Sequence, residues 1–336
     1  MSKQLGNSPG PIDLMKEYGA YGVRMGMLLC APAGNDIFFD KKLCEQGRNF
    51  CNKIWNSFRL IKGWDVDDAL AQPESSKTAI RWFKAELEKA VAEINALFAK
   101  FRISEALIAA YRLFRDEFSS WYLEMVKPAY QKPIDRKTLD ATTEYLDTLL
   151  RILHPFMPFI TEELWQHLTE RADGESIMYS TMPQAGGYDA DIIGEMEVIK
   201  EIVNGVRSVR AAKNIPNKEP LKLNIVGEWH TAQEELLAKL CNLSEISNVK
   251  EKDASASAFL VGTVEFNVPL ADSIDKDAEL AKLRKDLDYY EGFLRSVQKK
   301  LSNERFVNGA PAAVVEAERK KEADALSKIE ALKASI

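Results

Sequence analysis

The opening stretch, MSKQLGNSPGPIDL, begins with a predicted loop whose residue types suit phosphate chemistry. Lys3 follows Ser2 and stands before a run that is rich in glycine, serine and proline. A lysine on such a loop can neutralise the charge that develops on a phosphate during group transfer, and the loop can close when substrate binds. The alternative is that Lys3 is a solvated surface charge, and spacing alone does not decide between the two.

A second group of candidate residues lies on one stripe of the segment 43–61. Arg48, Asn52, Trp55 and Arg59 are spaced 4, 3 and 4 residues apart, which places them on one face of a helix. Two guanidinium groups, an amide and an indole in register can contact the phosphates and unpaired bases of RNA. The alternative is that Trp55 packs against a neighbouring helix and that the arginines pair with acids.

Other basic residues could neutralise phosphate from two further helices. Arg112 and Arg115 lie opposite the apolar stripe of a helix that ends before Pro128, although solvated charge is the alternative for each. The end of the chain contributes a larger basic set, namely Lys285, Arg295, Lys299, Arg305, Arg319 and Lys320. Their acidic neighbours can form pairs four residues apart, so an ordinary solvated surface remains an alternative there.

The elements that must position these residues are predicted mainly as antiparallel helices. Apolar residues with a helical period predict helices over 43–61, 78–100 and 136–153, one within SEALIAAYRLFRDEFSSWYLEMVKP, and one after HPFMPF. Short connections between them predict a bundle. A shorter helix over 11–29 precedes the bundle, and we expect it to be the tail of another domain.

The pattern changes after Gly187 to that of a small α+β unit. A helix over 191–212 is followed by LKLNIVG, which alternates as a strand does, and by a short helix over 231–241. Two β-like runs, ISNVKEK and SAFLVGTVEFNVPL, complete this unit.

The last segment predicts an antiparallel coiled-coil hairpin. The first arm has apolar residues alternately 3 and 4 apart, and these are Leu280, Leu283, Leu287, Tyr290, Leu294, Val297 and Leu301. Asn308 and Gly309 mark the turn, and a weaker seam follows with Val315, Leu326, Ile329 and Leu332. Because the hairpin buries its seam against itself, we expect a monomer.

Composition limits the remaining function classes. The net charge of −6 argues against a nucleic-acid partner for the chain as a whole, yet the segment 276–336 has 13 Lys and Arg against 11 Asp and Glu. No long uncharged apolar run predicts a membrane span, so we expect a cytoplasmic protein. The four cysteines and three histidines lack metal-ligand spacing, so no metal site is expected.

Several stretches resemble one enzyme family. MSKQLGNSPGPIDL resembles the K-M-S-K-S signature loop of class I aminoacyl-tRNA synthetases, as it occurs in the valine, isoleucine and leucine group. GRNFCNKIWN, DEFSSWYLE and HPFMPFITEELWQ resemble the anticodon-binding bundle of that group. VRSVRAAKNIPNKEPLKLNIVG and the heptads with the turn NERFVNGAP resemble the valine enzymes, whereas the cysteine-rich zinc module common in isoleucine enzymes has no counterpart.

The resemblance implies a fold and its division. We expect a mainly α chain built from the class I anticodon-binding helical bundle, a small α+β module and a C-terminal antiparallel coiled-coil hairpin. The predicted units are a signature-loop and stem-contact remnant of the catalytic domain over 1–36, the bundle over 37–184, the linker module over 185–272 and a tRNA-binding arm over 273–336.

The resemblance also implies a function. The full enzyme would ligate valine to its tRNA with ATP and Mg²⁺. Lys3 would help to stabilise the pyrophosphate leaving group, while Ser2 and Gly6 would shape the mobile loop. The motif's first lysine would precede Met1 and no H-x-G-H signature is present, so we expect a C-terminal fragment that binds valine tRNA, holds no cofactor and does not activate the amino acid by itself. The alternatives are a fragment of an isoleucyl or leucyl enzyme, or a non-catalytic helical scaffold whose hairpin contacts a protein partner.

Overall fold

Helices make up most of the chain, which confirms the expected mainly α fold. A computed structural model describes residues 10–31, 39–251, 256–269, 276–302 and 312–335. Its α-helices are α1 Pro11–Leu29, α2 Lys41–Lys62, α3 Glu74–Ala99, α4 Ile103–Arg112, α5 Leu123–Val126, α6 Arg136–Leu153, α7 Pro158–Leu168, α8 Ala190–Ala212, α9 Glu234–Cys241, α10 Lys276–Leu301 and α11 Ala312–Ser335. A π-helix, Leu113–Tyr122, joins α4 to α5, and a 3₁₀ turn covers Ile177–Tyr179.

Local capping explains where several helices begin. Asp40 accepts a hydrogen bond from the Lys42 amide at the start of α2, and Asp135 accepts one from the Thr138 amide at the start of α6. The start of α3 was expected at residue 78 but lies at Glu74. Residues 74–77 therefore form the first turn of α3, where the Ser75 hydroxyl donates to Glu235 of α9 over 2.7 Å.

Helices α1 and α2 approach each other closely, a contact that sequence spacing did not predict. A Cβ atom on Gly47 would lie 2.6 Å from Met25 Cβ, and one on Gly22 would lie 2.8 Å from the Cys44 carbonyl oxygen. Glycine at these positions lets the two backbones pack together, and α1 bends at Gly19, whose φ is 75°. The predicted boundary at residue 36 therefore falls between two helices that pack against each other.

Aromatic rings fill the centre of the bundle. The ring of Phe83 in α3 lies 5.3 Å from that of Phe118, 5.0 Å from that of Tyr122 and 5.1 Å from that of Tyr145. Phe118 and Tyr122 belong to the apolar stripe that the sequence predicted, and the structure buries both completely. This stripe crosses the π-helix, so ring packing holds the irregular segment against α3 and α6.

Two strands too short to be seen in the sequence connect the loops of the bundle. Strand β1, Val66–Asp67, pairs in parallel with β2, Ile134–Asp135, directly before α6. An alternation of period two cannot be recognised in two residues.

A four-stranded sheet follows α8. Its strands are β3 Leu221–Val226, β4 Leu243–Val249, β5 Ser257–Val261 and β6 Val264–Val268, in the order β4-β3-β6-β5. Strand β3 pairs with β4 in parallel and with β6 in an antiparallel manner. The run SAFLVGTVEFNVPL, expected to be one strand, is a hairpin that turns at Gly262, where φ is 58°.

One hydrophobic core extends from the bundle to the sheet. Phe259 of β5 packs against Gly205 of α8, while the neighbouring face of α8 packs on α3. Buried side chains from Met25 to Val268 form a single cluster. The hydrophobic core is therefore continuous across the predicted domain boundary between residues 184 and 185.

The terminal helices α10 and α11 form the expected antiparallel hairpin. Cross-helix contacts join Gln298 to Glu322 at 3.1 Å and Lys333 to Glu291 at 2.8 Å. Val297, Val315, Ala325 and Ile329 are the buried seam residues. The expectation for Leu326 was wrong, because its side chain is 48% exposed and the adjacent Ala325 occupies the seam. The side chains of Leu280, Leu283 and Leu332, and the turn over 303–311, lie outside the described residues.

The glycine contact between α1 and α2 is testable. In Gly26→Ala the new Cβ would lie 2.8 Å from the Cys44 backbone nitrogen, so the helices must separate. We expect the free energy of unfolding in a urea titration to fall by about 1–3 kcal/mol.

A glycine in open space provides the control. Gly194 lies within α8, and a Cβ atom there would contact nothing within 4 Å. Gly194→Ala should leave stability unchanged or raise it by up to about 1 kcal/mol, because alanine favours the helix. Equal effects of the two substitutions would contradict the proposed role of the close approach.

Candidate nucleic-acid interface

Positive charge is concentrated on α2. This helix has six basic residues, Lys41, Lys42, Arg48, Lys53, Arg59 and Lys62, and its one acid is Glu45. Helix α3, which is slightly longer, has four basic and four acidic residues. The net charge of −6 for the chain therefore hides a strongly positive helix, which creates a local attraction for polyanions.

All four residues predicted on the α2 stripe are exposed to solvent. Trp55 is 42% exposed, and its ring lies 6.3 Å from that of Phe58 on the same helix. Asn52 and Arg59 are exposed beside it. In the described part of the chain no carboxylate lies within ion-pair distance of Arg59. Trp55 is therefore a surface residue of α2 and not part of the buried core.

Arg48, the fourth residue of the stripe, turns toward α1. Its guanidinium donates to the Glu17 carbonyl over 3.4 Å and lies 5.9 Å from the centre of the Tyr18 ring. It also lies 4.0 Å from Glu45. The alternative that arginines of this stripe pair with protein groups thus applies to Arg48, whose remaining donors still face solvent.

A groove of about 470 Å³ runs between α2 and the π-helix. Lys42 and Lys53 of α2 line one side, and Arg115 of the π-helix lines the other. The Arg115 guanidinium lies 5.5 Å from the centre of the Tyr111 ring and 3.6 Å from Asp116. The sequence pattern did not indicate Lys42 and Lys53 as site residues, because only the packing of α2 against the π-helix brings them near Arg115.

The π-helix places Arg112 and Arg115 in different surroundings. Residues three apart share a face of an α-helix, but the wider π turn rotates them away from each other. Arg112 faces α3 and lines an acidic cavity of about 400 Å³ with Glu86, Glu93 and Glu117. Both arginines are exposed, but they line different cavities, and Arg115 is the one that joins the α2 groove.

A buried lysine fixes the π-helix from its other side. The Lys200 ammonium of α8 lies 2.6 Å from Glu117, 2.8 Å from Glu197 and 4.7 Å from the centre of the Trp82 ring. Burial pushes the pKa of Lys200 down, but the hydrogen bonds that Lys200 donates to Glu117 and Glu197 outweigh burial, so the pKa is raised. Lys200 therefore stays charged at neutral pH and anchors Glu117.

Those candidate residues of the hairpin whose side chains the structure describes all lie at the surface. Arg295, Lys299, Arg319 and Lys320 are exposed. The side chain of Lys285, the residue Arg305, and the loop residues Lys3 and Ser2 lie outside the described part. Two aromatic residues of α10 that sequence analysis did not select, Tyr289 and Phe293, are 66% and 37% exposed. Their positions outside the heptad seam were the sequence signal that could have identified them as exposed.

Metal chemistry has no support among the described residues. They include no group of three or more His, Cys, Asp or Glu side chains that could hold a metal ion. The four cysteines are unpaired, and burial raises the pKa of Cys51 to about 11 and that of Cys241 to about 12. These two thiols are therefore protonated at neutral pH. Among the described helices, none has the length and apolarity that crossing a bilayer requires.

Two family models match the chain. One, described as the anticodon-binding domain of tRNA ligase, matches residues 80–225, from α3 to β3. The other, described as the valyl tRNA synthetase tRNA binding arm, matches residues 275–336, which include α10 and α11.

Curated relatives match this chain along its whole length. Valine–tRNA ligases of Parabacteroides distasonis, Phocaeicola vulgatus and Bacteroides thetaiotaomicron are 60%, 57% and 56% identical over all of this chain. The chain belongs to the valine–tRNA ligase family. It spans 38%, 38% and 39% of the length of these three valine–tRNA ligases. These matches favour the valine group over the isoleucine and leucine alternatives.

The Lys200 contact predicts a large effect of one substitution. Lys200→Met would leave the Glu117 carboxylate, 27% exposed, beside the core without its partner. We expect the free energy of unfolding, measured by urea titration, to fall by about 3 kcal/mol.

The matched control removes an exposed ion pair. Lys77 pairs with Glu74 at the surface of α3, so Lys77→Met should change stability by less than about 1 kcal/mol. If Lys200→Met is as mild as this control, the anchoring role of Lys200 is wrong.

Proposed function

We propose that this chain binds tRNA as the RNA-recognising part of a valine–tRNA ligase, with valine tRNA as its partner. The observation that carries the proposal is the basic helix α2, on which Trp55 and Arg59 are exposed and whose Lys53 lines a groove together with Arg115. The descriptions of the two matching families support the same partner.

The α2 surface supplies both kinds of contact that unpaired RNA needs. Arg59, Lys53 and Arg115 can neutralise backbone phosphates and release their counterions. The exposed Trp55 ring offers a flat surface on which a base can stack, and such stacking is worth about 1–3 kcal/mol per base. The amide of Asn52, one helical turn from Trp55, can both donate to and accept from a base edge.

The hairpin provides a second and weaker contact. Helix α10 has seven basic and five acidic residues, whereas α11 has five of each, so the electrostatic attraction is modest. Arg295, Lys299, Arg319 and Lys320 would contact phosphates, and the rings of Tyr289 and Phe293 offer additional stacking area. Two linked contacts on one RNA raise the overall affinity, because the second forms within the same complex.

Valine activation with ATP and Mg²⁺ is proposed for the whole enzyme only. The residues that the resemblance assigns to ATP, Lys3 and Ser2, lie outside the described part, so no step of that reaction is assigned to the described residues. For the chain alone we propose RNA binding without amino-acid activation, as a monomer in the cytoplasm. Valine-dependent exchange between ATP and pyrophosphate should be absent from this chain, and measurable exchange would contradict that part of the proposal.

Binding to valine tRNA tests the central part of the proposal. We expect the chain to bind valine tRNA more tightly than an unrelated tRNA in a gel-shift titration. Trp55→Ala should weaken binding about 5- to 150-fold, which corresponds to the loss of one stacked base. No binding to either tRNA, together with a dimer that forms as concentration rises, would favour the scaffold alternative.

Salt dependence identifies the phosphate contacts. In Lys53→Gln/Arg59→Gln the slope of log K against log salt should become shallower by about one unit per lost contact. The control, Arg81→Gln/Lys84→Gln, removes the same charge from an exposed part of α3 and should leave the slope unchanged. Equal slopes for the two double variants would show that α2 does not contact the phosphates of the RNA.

A further inference from the structure

A second basic cavity lies where the helical bundle meets the sheet. Its volume is about 690 Å³, larger than that of the α2 groove, and three elements line it. Lys127 comes from the turn after α5, Arg207 and Arg210 from α8, and Lys239 from α9. Glu124 is the one acidic residue among those that line the cavity.

Two of these cations neutralise helix ends. Lys239 donates from Nζ to the Met125 carbonyl near the end of α5 over 2.5 Å. Arg210, which is buried, donates to the Cys241 carbonyl at the end of α9 over 2.8 Å and to the Pro216 carbonyl over 2.9 Å. Each helix C-terminus carries a partial charge of about −0.5, so the two ends together offset about one of the four positive charges.

The other two cations remain available to a ligand. Lys127 pairs with Glu124 at 2.6 Å, but its side chain is 44% exposed. Arg207 is exposed and stacks over the Trp121 ring of the π-helix, with its guanidinium 5.0 Å from the ring centre. In the described residues no carboxylate lies within ion-pair distance of Arg207. A guanidinium that contacts only an aromatic ring still has N–H groups to donate, and their planar arrangement matches the geometry of phosphate oxygens.

The charges therefore do not cancel within the cavity. Four cations face one carboxylate and two helix ends, which leaves an excess of about two positive charges. An excess of this size in a partly enclosed space favours a doubly charged anion, or two adjacent singly charged groups such as consecutive phosphodiesters.

The cavity lies within reach of the α2 groove. Arg115, on the wall of that groove, belongs to the continuous helical run from α4 to α5, and Lys127 directly follows the last residue of that run. Their separation of twelve residues corresponds to at most about 18 Å along a helix. A single RNA can therefore contact both places.

We propose that this cavity binds backbone phosphates of the RNA, with Arg207 and Lys127 as the contacting residues and Arg210 and Lys239 as the residues that hold its walls. The inference rests on the proposed function and extends it to a second site at the junction of bundle and sheet. The family description that matches residues 80–225 names anticodon binding without assigning it to particular residues, and the sequence pattern does not indicate this cavity.

The test compares salt dependence among variants of the 336-residue chain. Lys127→Gln/Arg207→Gln should make the slope of log K against log salt for valine tRNA shallower by about 1.4–1.8 units, the amount expected for two lost contacts. Because Arg207 also packs on Trp121, Lys127→Gln alone serves as a second variant, with a loss of about half that size. Circular dichroism confirms that each variant is folded.

The control removes the same residue types elsewhere. Arg102→Gln/Lys222→Gln takes one arginine and one lysine from exposed ion pairs with Glu105 and Glu245, and its slope should equal that of the unmodified chain. If the cavity variants match this control while the Lys53 and Arg59 variant is shallower, the cavity proposal is wrong and the proposed function stands. If the unmodified chain does not bind valine tRNA, both fail.

Discussion

The buried contact of Lys200 with Glu117 determines where both candidate surfaces lie. Lys200 belongs to α8 and packs on Trp82 of α3, while Glu117 belongs to the π-helix. The π-helix presents Arg115 to the α2 groove, and α8 presents Arg207 to the junction cavity. One charged hydrogen bond inside an aromatic environment therefore couples the elements that carry the two basic sites.

A chain with an excess of acidic residues can still present a surface for RNA, because electrostatic attraction acts over about 8 Å in physiological salt. Within that distance, the composition of α2 matters more than that of the whole chain. The six basic residues of α2 are distributed along the helix, while Phe50, Ile54 and Phe58 form its buried face. Burial of one face and close packing on α1 fix the direction of the charged face, and the glycines at 22, 26 and 47 make that packing possible.

Sequence periodicity predicted the long helices and the hairpin, because each repeats an apolar spacing over several turns. The same helical period placed the polar residues of the α2 stripe on one face. It could not predict the π-helix, since Phe114, Phe118 and Tyr122 have spacings that also suit an α-helix. For the same reason Arg112 and Arg115 were placed together, and Lys53 was not recognised as a neighbour of Arg115. The junction cavity joins residues as distant in sequence as Lys127 and Lys239, and only tertiary packing brings them together.

Lysine footprinting by mass spectrometry tests most directly whether the α2 face meets tRNA. The chain is acetylated briefly with and without valine tRNA, and the modification of each lysine is compared. The account predicts that Lys42 and Lys53 are protected by the RNA, while Lys84 on α3 and Lys222 on the sheet react equally in both samples. Undiminished acetylation of Lys53 in a saturated complex, or equal protection of Lys84, would contradict it.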